Sequence, residues 1–483
     1  YKRQAEVNLD HDYNNVSVYP TPVGWKNPLS FQRQPEKIKY PRADSMEISG
    51  AKVFYLSDRE LPLVDLALLV KAGSVDVDDP KFGLTSLLNG SIIRGGTDSY
   101  SPAQLALVLD ENAIQLNVVV REEEAVIHLS VLRDDWQAGL NILQEILTRP
   151  GFDARVLEVV KTQELTALKR QGGDARSVAA RERDIWHFNG HPYGRDPLKA
   201  LQTIPGISRS DLKQFLSRYF VPSNMVAAVA GDIDKAEVIS GLRKFFESLP
   251  QTGAPERKLS DPEKTPPVLA LIHKPGQVQS QITLSLPSVK RTHPDYWKIS
   301  LLANIFGGDG SLLYKRLRDD LGLVYSAGFY ETYKWSAGVI SGYIGCKGDQ
   351  SVPAISETIK IMKALGQNVS QKELDQKRLD TLNSFVFNVD TPADLVEVYA
   401  RYYMRKEPLD TLEKIQVAFF SAEKEDLRRL AAEYLDPDNI QIFIVGDKNI
   451  KIKGNHSKEL VLEDMLMDLA ESLGLPFVEL ELR

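Results

Sequence analysis

Two of the seven histidines stand four residues apart, in the segment HFNGHP, and they are the closest pair of histidines in the chain. Two histidines at positions i and i+4 of one helix can bind zinc together. Gly190 and Pro192 interrupt the helix that would bring His187 and His191 onto one face. This pair therefore does not predict a metal site.

Other signatures of catalysis are missing from the sequence. There is no G-x-S-x-G nucleophile elbow, no P-loop for nucleotides and no G-x-G-x-x-G. The segment GGDGS at 307–311 lacks the spacing of a phosphate-binding loop, and we interpret it as a turn between two helices. The sequence therefore does not support a serine hydrolase or a nucleotide-dependent enzyme.

The composition is that of an ordinary globular protein with two or three domains. The 483 residues carry 59 Lys and Arg against 66 Asp and Glu, a net charge of −7 with both signs mixed along the chain, so nucleic acid is not an expected partner. No apolar run approaches the ~18 residues of a transmembrane segment. The single cysteine, Cys346, allows no internal disulfide. The chain starts at Tyr1 without a basic and apolar leader, which fits a mature form after signal removal as well as a shortened chain; of the two, we expect a periplasmic or exported protein in its mature form.

Two proline-rich segments divide the chain. Residues 1–45 combine five prolines with scattered aromatic residues, and we interpret them as an extended N-terminal arm. Residues 250–267 contain five more prolines, which is typical of a stiff linker. We therefore expect one repeat at 46–249, a second repeat at 268–450 and a C-terminal extension at 451–483.

The ends of the two halves carry the same passage at an offset of 215 residues. Residues 211–232 align without gaps on residues 426–447, and seven of the 22 positions are identical, where chance would give about one or two. Each copy predicts an amphipathic helix, a proline that stops it and a short β-branched strand. The chain is therefore predicted to be a duplication.

The apolar periodicity predicts the same order of elements in both halves. In the first half it predicts strands at 51–56, 64–70, 113–120 and 125–131, with helices from Gly83, from Trp136 and over 153–170. In the second half it predicts strands at 268–273, 281–286, 324–333 and 337–346, with a helix that ends at Phe306. Short connections imply mostly antiparallel sheets with helices packed on one face. The predicted fold class is α+β, with two homologous domains.

Four segments at characteristic spacing carry a resemblance to a known family. They are GLTSLLNGSIIRGGT at 83–97, TRPGF at 148–152, HPYGRDPL at 191–198 and FGGDGSLLYKRLRDDLGLVYS at 306–326. These segments resemble the pitrilysin, insulinase and mitochondrial-processing-peptidase superfamily of zinc peptidases. The resemblance covers roughly residues 45–450, with both halves in the right order.

The resemblance draws attention to the helix that begins at Gly83, where family enzymes carry H-x-x-E-H, two zinc ligands and a general base. The three key positions are Ser86, Asn89 and Gly90 in this chain. A serine is a poor zinc ligand, an amide cannot accept a proton from water, and glycine has no side chain. Glu164 falls where the family has its third ligand, and we interpret it as a solvated carboxylate on a helix face. The resemblance thus implies no metal and no catalytic residue in this chain.

The resemblance is preserved in the second half at Arg318 and Tyr325, within RDDLGLVY. The helix is predicted to end near Gly322 and to lead into a strand, which places the guanidinium and the phenol near each other. In two-subunit family members the matching pair binds the main chain of the substrate. Each residue alone could have a purely structural role, Arg318 in a surface ion pair and Tyr325 in the core. Together they predict a substrate-binding pair.

These features predict the non-catalytic subunit of a heterodimeric zinc peptidase, similar to bacterial periplasmic pairs. The resemblance implies that a homologous partner supplies the zinc, in a heterodimer or a dimer of such heterodimers, and that the enclosed chamber admits unfolded peptides. The main alternative is a structural scaffold without a role in cleavage, as in the core proteins of the respiratory cytochrome complex. A peptide-processing alpha subunit is a weaker match because its long glycine-rich loop is not evident in GGDGSLL. An independent peptide-binding protein stays open as a third reading.

Overall fold

The structure is a computed structural model that describes residues 24–26, 37–308, 310–453 and 459–482. Most of the predicted arm at 1–45 lies outside the described residues. Its last part, residues 37–43, contains no helix or strand, and the first strand begins at Asp44. The main-chain N–H of Ile38 donates to the side-chain oxygen of Gln416 at 2.7 Å, and the side-chain nitrogen of Gln416 donates back to the C=O of Ile38 at 3.0 Å. This segment is therefore fastened to the second repeat.

The first repeat contains six strands and eight α-helices among its described residues. The strands are β1 (Asp44–Ile48), β2 (Ala51–Ser57), β3 (Leu63–Val70), β4 (Gln115–Val120), β5 (Ala125–Leu132) and β6 (Met225–Gly231). The helices are α1 (Leu84–Ser91), α2 (Pro102–Glu111), α3 (Trp136–Thr148), α4 (Ala154–Gly173), α5 (Ala175–His187), α6 (Ala200–Thr203), α7 (Arg209–Tyr219) and α8 (Lys235–Ser248). The strands form one sheet in the order β1-β2-β6-β3-β5-β4, in which only β2 and β6 run parallel.

The second repeat builds an equivalent sheet. Its strands are β7 (Val268–His273), β8 (Gln279–Ser288), β9 (Val324–Tyr333), β10 (Gly338–Lys347), β11 (Gln441–Gly446), β12 (Lys451–Lys453), β13 (Glu459–Val461) and β14 (Phe477–Leu480). Its helices are α9 (Tyr296–Gly307), α10 (Leu312–Tyr314), α11 (Ser351–Asn368), α12 (Gln371–Phe385), α13 (Pro392–Met404), α14 (Thr411–Phe420), α15 (Lys424–Tyr434) and α16 (Leu462–Leu473). The sheet order is β14-β7-β11-β8-β10-β9, and β12 pairs with β13 apart from it.

The two sheets confirm the predicted α+β class with two homologous domains. Strands β6 and β11, which lie in the repeated passage, take the third place in their respective sheets. In the second sheet β7 runs parallel to both β11 and β14, and the other neighbours are antiparallel. The C-terminal segment thus contributes β14 to the edge of the second sheet.

Each sheet is covered on its second face by a helix from the other repeat. Helix α5 of the first repeat packs on β8 and β11, and helix α13 of the second repeat packs on β2, β3 and β6. The sequence predicted helices on one face of each sheet, since an amphipathic helix reveals its buried side but not the surface that covers it. The exchange of α5 and α13 joins the repeats through two buried apolar faces.

A hydrogen bond to a titratable histidine joins α13 to the first sheet. His128 on β5 lies 2.9 Å from Glu397 on α13, between Nε2 and Oε2. This hydrogen bond raises the pKa of His128 against the opposing effect of burial. The folded protein therefore holds the proton more tightly than the unfolded chain does. The stability that this bond contributes is complete below the usual histidine pKa and is lost as the pH rises through the folded pKa.

We expect the unfolding free energy of the protein to exceed that of a His128→Gln variant by more at pH 6 than at pH 8. Urea denaturation of both proteins at the two pH values measures the difference. His293→Gln serves as the control because His293 is exposed and its imidazole accepts a hydrogen bond from the N–H of Asp295, two residues away. An equal difference for His128→Gln at both pH values would contradict the prediction.

Candidate functional site

Helix α1 carries the three positions at which the sequence analysis found no metal ligand. It begins after Gly83, whose φ of +92° requires a glycine. Ser86 is half-buried on this helix, and Asn89 is exposed. The Asn89 amide makes two bonds to the end of β4: Nδ2 donates to the C=O of Val120 at 2.9 Å, and the N–H of Val120 donates to Oδ1 at 2.6 Å. Both the amide nitrogen and the amide oxygen of Asn89 are therefore engaged in hydrogen bonds to the main chain.

Gly90 lies where α1 packs against α4. A Cβ atom at this position would stand 2.5 Å from Cγ1 of Val160, well inside van der Waals contact. Val160 is 1% exposed, so it is held by its surroundings. The close approach of the two helices therefore uses the space that a side chain at position 90 would need.

Glu164 lies one helical turn beyond Val160 on α4. Its side chain is half-buried and makes no hydrogen bond or ion pair within the described residues. Burial raises the pKa of this carboxyl. The sequence analysis interpreted Glu164 as solvated, whereas the structure places it partly out of water.

These residues do not fit a zinc ion. Structural and catalytic zinc sites need three or four nitrogen, sulfur or carboxylate ligands. Ser86, Asn89 and Gly90 offer a hydroxyl, an occupied amide and no side chain, which leaves Glu164 alone. Among the described residues, no group of three His, Cys, Asp or Glu side chains could hold a metal ion.

We expect Gly90→Ala to destabilise the protein by about 1–3 kcal/mol, because the new methyl group overpacks the contact with Val160. In a Val160→Ala background the same substitution should be neutral or stabilising, since the space is then free and alanine is the better helix former by roughly 1 kcal/mol. Urea denaturation of the four proteins gives the coupling between the two sites. Equal effects of Gly90→Ala in both backgrounds would contradict the close packing of α1 and α4.

Arg318 and Tyr325 lie where a helix turns into strand β9. The turn is a π-helix, Lys315–Asp320, in which the N–H of Leu321 donates to the C=O of Arg316 at 3.2 Å. Nη1 of Arg318 donates to the C=O of Val324 at 2.8 Å. Both Arg318 and Tyr325 are exposed, and no hydrogen bond joins their side chains in the described part of the chain. The junction thus presents a guanidinium and a phenol to solvent at neighbouring points.

The π-helix is a feature that the sequence analysis missed. Such turns are rare and occur often at functional sites. The residues KRLRDD carry no pattern that separates a π-turn from an α-turn. The only available signal was the resemblance of the whole passage to a known family.

His187 and His191, the histidine pair of the first repeat, have structural roles. Nδ1 of His187 lies 2.8 Å from Oε1 of Gln441, on β11, and Nε2 of His191 lies 3.0 Å from the C=O of Ser260, in the linker. Burial lowers the pKa of both imidazoles. The two histidines bind different partners, so they fasten α5 and its following loop to the linker and the second sheet.

The helices in the described part of the chain include none that combines the length and apolarity needed to cross a membrane.

Two family models match the chain. The model described as Insulinase (Peptidase family M16) matches residues 52–190, and the model described as Peptidase M16 inactive domain matches residues 206–379. The matched ranges follow the order of the two repeats and together span more than half of the chain.

Known proteins show the same relationship over a greater length. A non-peptidase homolog of Helicobacter pylori, YmxG, is 25% identical over 410 residues, which are 83% of this chain and 94% of that protein. A zinc protease of the same organism, PqqE, is 24% identical over 261 residues, 53% of this chain and 59% of that protein. The crystal structure of a peptidase M16 inactive domain from Pseudomonas fluorescens superposes with a TM-score of 0.77 at 23% identity, over 84% of this chain and 98% of its own. Because the two family models match the chain in the order of its two repeats and together span more than half of it, the chain belongs to the insulinase family of peptidases, peptidase family M16.

Proposed function

We propose that this chain is the non-catalytic subunit of a heterodimeric zinc peptidase. A homologous subunit bears the zinc and cleaves unfolded peptides, while this chain closes the chamber and holds the peptide with Arg318 and Tyr325. One observation carries the proposal. Of the three positions at which the family carries its metal motif, Asn89 is committed to main-chain bonds, Gly90 to helix packing, and Ser86 is a half-buried hydroxyl, whereas Arg318 and Tyr325 are exposed.

The relatives support the division of labour. Helicobacter pylori contains both a non-peptidase homolog and a zinc protease that are similar to this chain. A pair of this kind would leave metal chemistry to one subunit and allow the other to specialise in binding. An exported location, which the sequence analysis expects, belongs to the same proposal and is tested by fractionation of cells.

Reconstitution tests the proposal. This chain, a zinc-bearing family member from the same organism, and their equimolar mixture are each incubated with a quenched fluorescent peptide. We expect cleavage to increase at least tenfold in the mixture over either chain alone, with one zinc per pair, and a mixture containing the partner with its general-base Glu replaced by Gln should be inactive. Stoichiometric zinc in this chain, or hydrolysis by this chain alone, would overturn the proposal.

A structural scaffold of the same fold predicts a different result. It would bind the partner without changing peptide turnover. Equal turnover by the partner alone and by the mixture would therefore favour the scaffold.

A further inference from the structure

A cavity of about 580 Å³ lies between the linker and the second repeat. Its walls come from linker residues 261–265, the end of α5, the segment 287–294 and the turn between β9 and β10. The apolar lining includes an aromatic ring, an aliphatic side chain and three proline rings: Phe188, Val289, Pro262, Pro287 and Pro294. A cavity of this size, with mainly apolar walls and a few polar groups, is typical of sites for small organic molecules.

The imidazole of His187 forms part of the wall, and its tautomer follows from its neighbours. The side-chain nitrogen of Gln441 donates to Oγ1 of Thr265 at 2.8 Å and to the C=O of Thr265 and of Pro266, each at 3.3 Å. Because a carbonyl can only accept a hydrogen bond, the amide orientation of Gln441 is fixed and its Oε1 lies toward His187. Nδ1 of His187 therefore donates to Oε1, at 2.8 Å. In a neutral imidazole the other nitrogen, Nε2, then carries a lone pair and accepts.

Nε2 of His187 has no partner in the part of the chain that the structure describes. His187 is 8% exposed, and burial lowers its pKa, which keeps the ring neutral. Nε2 is not among the unpaired atoms that are sealed in the interior, and His187 lines the cavity, so its lone pair opens into the cavity. Ser288 lines the same cavity, but its hydroxyl already donates to Glu331 at 2.6 Å. The cavity thus presents a buried acceptor that lacks a donor.

The charged side chains that line the cavity lie at its mouth and balance one another. The ammonium group of Lys290 donates to both carboxylate oxygens of Asp261, at 2.5 and 2.7 Å. Glu263 and Lys264 are neighbours in the linker, and both are exposed, as is His293. Two carboxylates beside two ammonium groups create no net attraction for an anion or a cation. The lining therefore favours an uncharged ligand.

We propose that this cavity binds a neutral aromatic molecule with one N–H or O–H donor, an indole or a phenol, whose donor bonds to Nε2 of His187. The flat rings of Phe188 and of the three prolines suit a planar ligand, whose remaining surface needs no hydrogen bond. The ring can come from a free small molecule or from a tryptophan or tyrosine side chain of a peptide, since both present the same donor. The site is independent of the proposed function, because its residues lie outside α1 and outside the junction of Arg318 and Tyr325.

Binding to the full chain is measured by ligand-observed saturation-transfer NMR titration. Indole and p-cresol represent the free molecule, N-acetyltryptophanamide represents a peptide side chain, and 1-methylindole has the indole ring without its N–H. Ala337→Phe fills the cavity from the turn between β9 and β10 and keeps the main-chain bond from Lys334 to Ala337. Ala154→Phe is the matched control, because Ala154 is exposed at the start of α4 and lies outside the cavity.

We expect indole to bind saturably and 1-methylindole to bind about tenfold more weakly, because the methyl group leaves Nε2 of His187 without a donor. Ala337→Phe should weaken the binding of indole at least tenfold, and Ala154→Phe should leave it within twofold. His187→Asn keeps a donor near the place of Nδ1 and removes Nε2. This variant should therefore bind indole and 1-methylindole equally, a result that a purely structural role of His187 does not predict.

The ligands also identify the source of the ring. Binding of N-acetyltryptophanamide shows that a peptide side chain can enter the cavity, whereas binding of indole or p-cresol alone assigns it to a free small molecule; both outcomes support the proposal. No saturable binding of any of these three ligands would overturn it, as would equal binding of indole and 1-methylindole to the unmodified chain. So would equal binding of indole to Ala337→Phe and Ala154→Phe. The ligand comparison uses the unmodified chain, so it tests the proposal even if a variant does not fold.

Discussion

Replacing Arg318 by alanine is expected to lower the kcat/KM of the reconstituted pair for a peptide by about 10- to 100-fold. Apart from its bond to Val324, the guanidinium has no hydrogen-bond partner among the residues that the structure describes, and a hydrogen bond to a charged group contributes roughly 1.5–3 kcal/mol. The loss should fall mainly on KM if Arg318 holds the ground state and the transition state alike. Steady-state kinetics over a range of peptide concentrations separates the two constants.

The matched control for Arg318 is Arg316→Ala, two residues earlier in the same π-helix. Arg316 is also exposed, and its ion pairs with Asp320 and Glu357 lie within the chain. Its removal should leave kcat/KM within about twofold, since exposed ion pairs contribute roughly 0–1 kcal/mol. Arg318→Lys keeps the charge but loses the rigid fork, so it should recover only part of the activity. Equal kinetics for Arg318→Ala and the unmodified pair would remove Arg318 from the substrate site.

Tyr325→Phe distinguishes the contribution of the hydroxyl from that of the ring at the same junction. The ring and its exposed position are kept, so any change in KM reports the loss of a hydrogen bond from the phenol. A fall of about 5- to 10-fold is expected if the hydroxyl binds a peptide carbonyl. Unchanged kinetics would limit the site to Arg318.

The sheets could be predicted from the sequence because their strands are buried and rich in apolar side chains. The predicted strand at 268–273 coincides with β7, and the predicted strand at 324–333 coincides with β9. The repeated passage also predicted the equivalence of β6 and β11, since the same helix, proline and strand recur in both halves. Strand β1 was not predicted, because DSMEI carries too few apolar residues to show a period.

Contacts between the repeats could not be predicted in the same way. Helix α13 shows an apolar face in its sequence, but that pattern contains no information on which sheet will cover it. The hydrogen bonds between Asn89 and the main chain of Val120 could not be predicted either, because the two residues are 31 positions apart and an amide has many potential partners. The chemistry missing from Ser86, Asn89 and Gly90 could be read from residue type alone, whereas what those residues do instead required the structure.

The exchange of helices between the repeats depends on a buried charge cluster. Glu124, in the turn between β4 and β5, is 3% exposed. Its carboxylate binds Nη1 of Arg401, on α13, and lies 3.2 Å from Nη2 of Arg405, the residue that directly follows α13. Burial, followed by repulsion from Arg405, lowers the pKa of Arg401 to about 10. Two arginines of the second repeat therefore share one carboxylate of the first, and Arg401 also binds Glu397 of its own helix at 2.6 Å.

Glu124→Gln is expected to destabilise the protein by about 1.5–3 kcal/mol, because it removes the buried carboxylate that binds both half-buried guanidinium groups and leaves Arg401 with Glu397 alone. Urea denaturation followed by tryptophan fluorescence reports the change, since Trp335 lies 5.9 Å from the Arg405 guanidinium. The control is Glu425→Gln, whose partner Arg428 is exposed, and which should cost less than about 1 kcal/mol. Replacing all three members of the cluster by apolar residues of similar size should restore much of the stability, because the unpaired charges then disappear with the pair. If Glu124→Gln cost no more than the control, the cluster would not be what holds α13 on the first sheet.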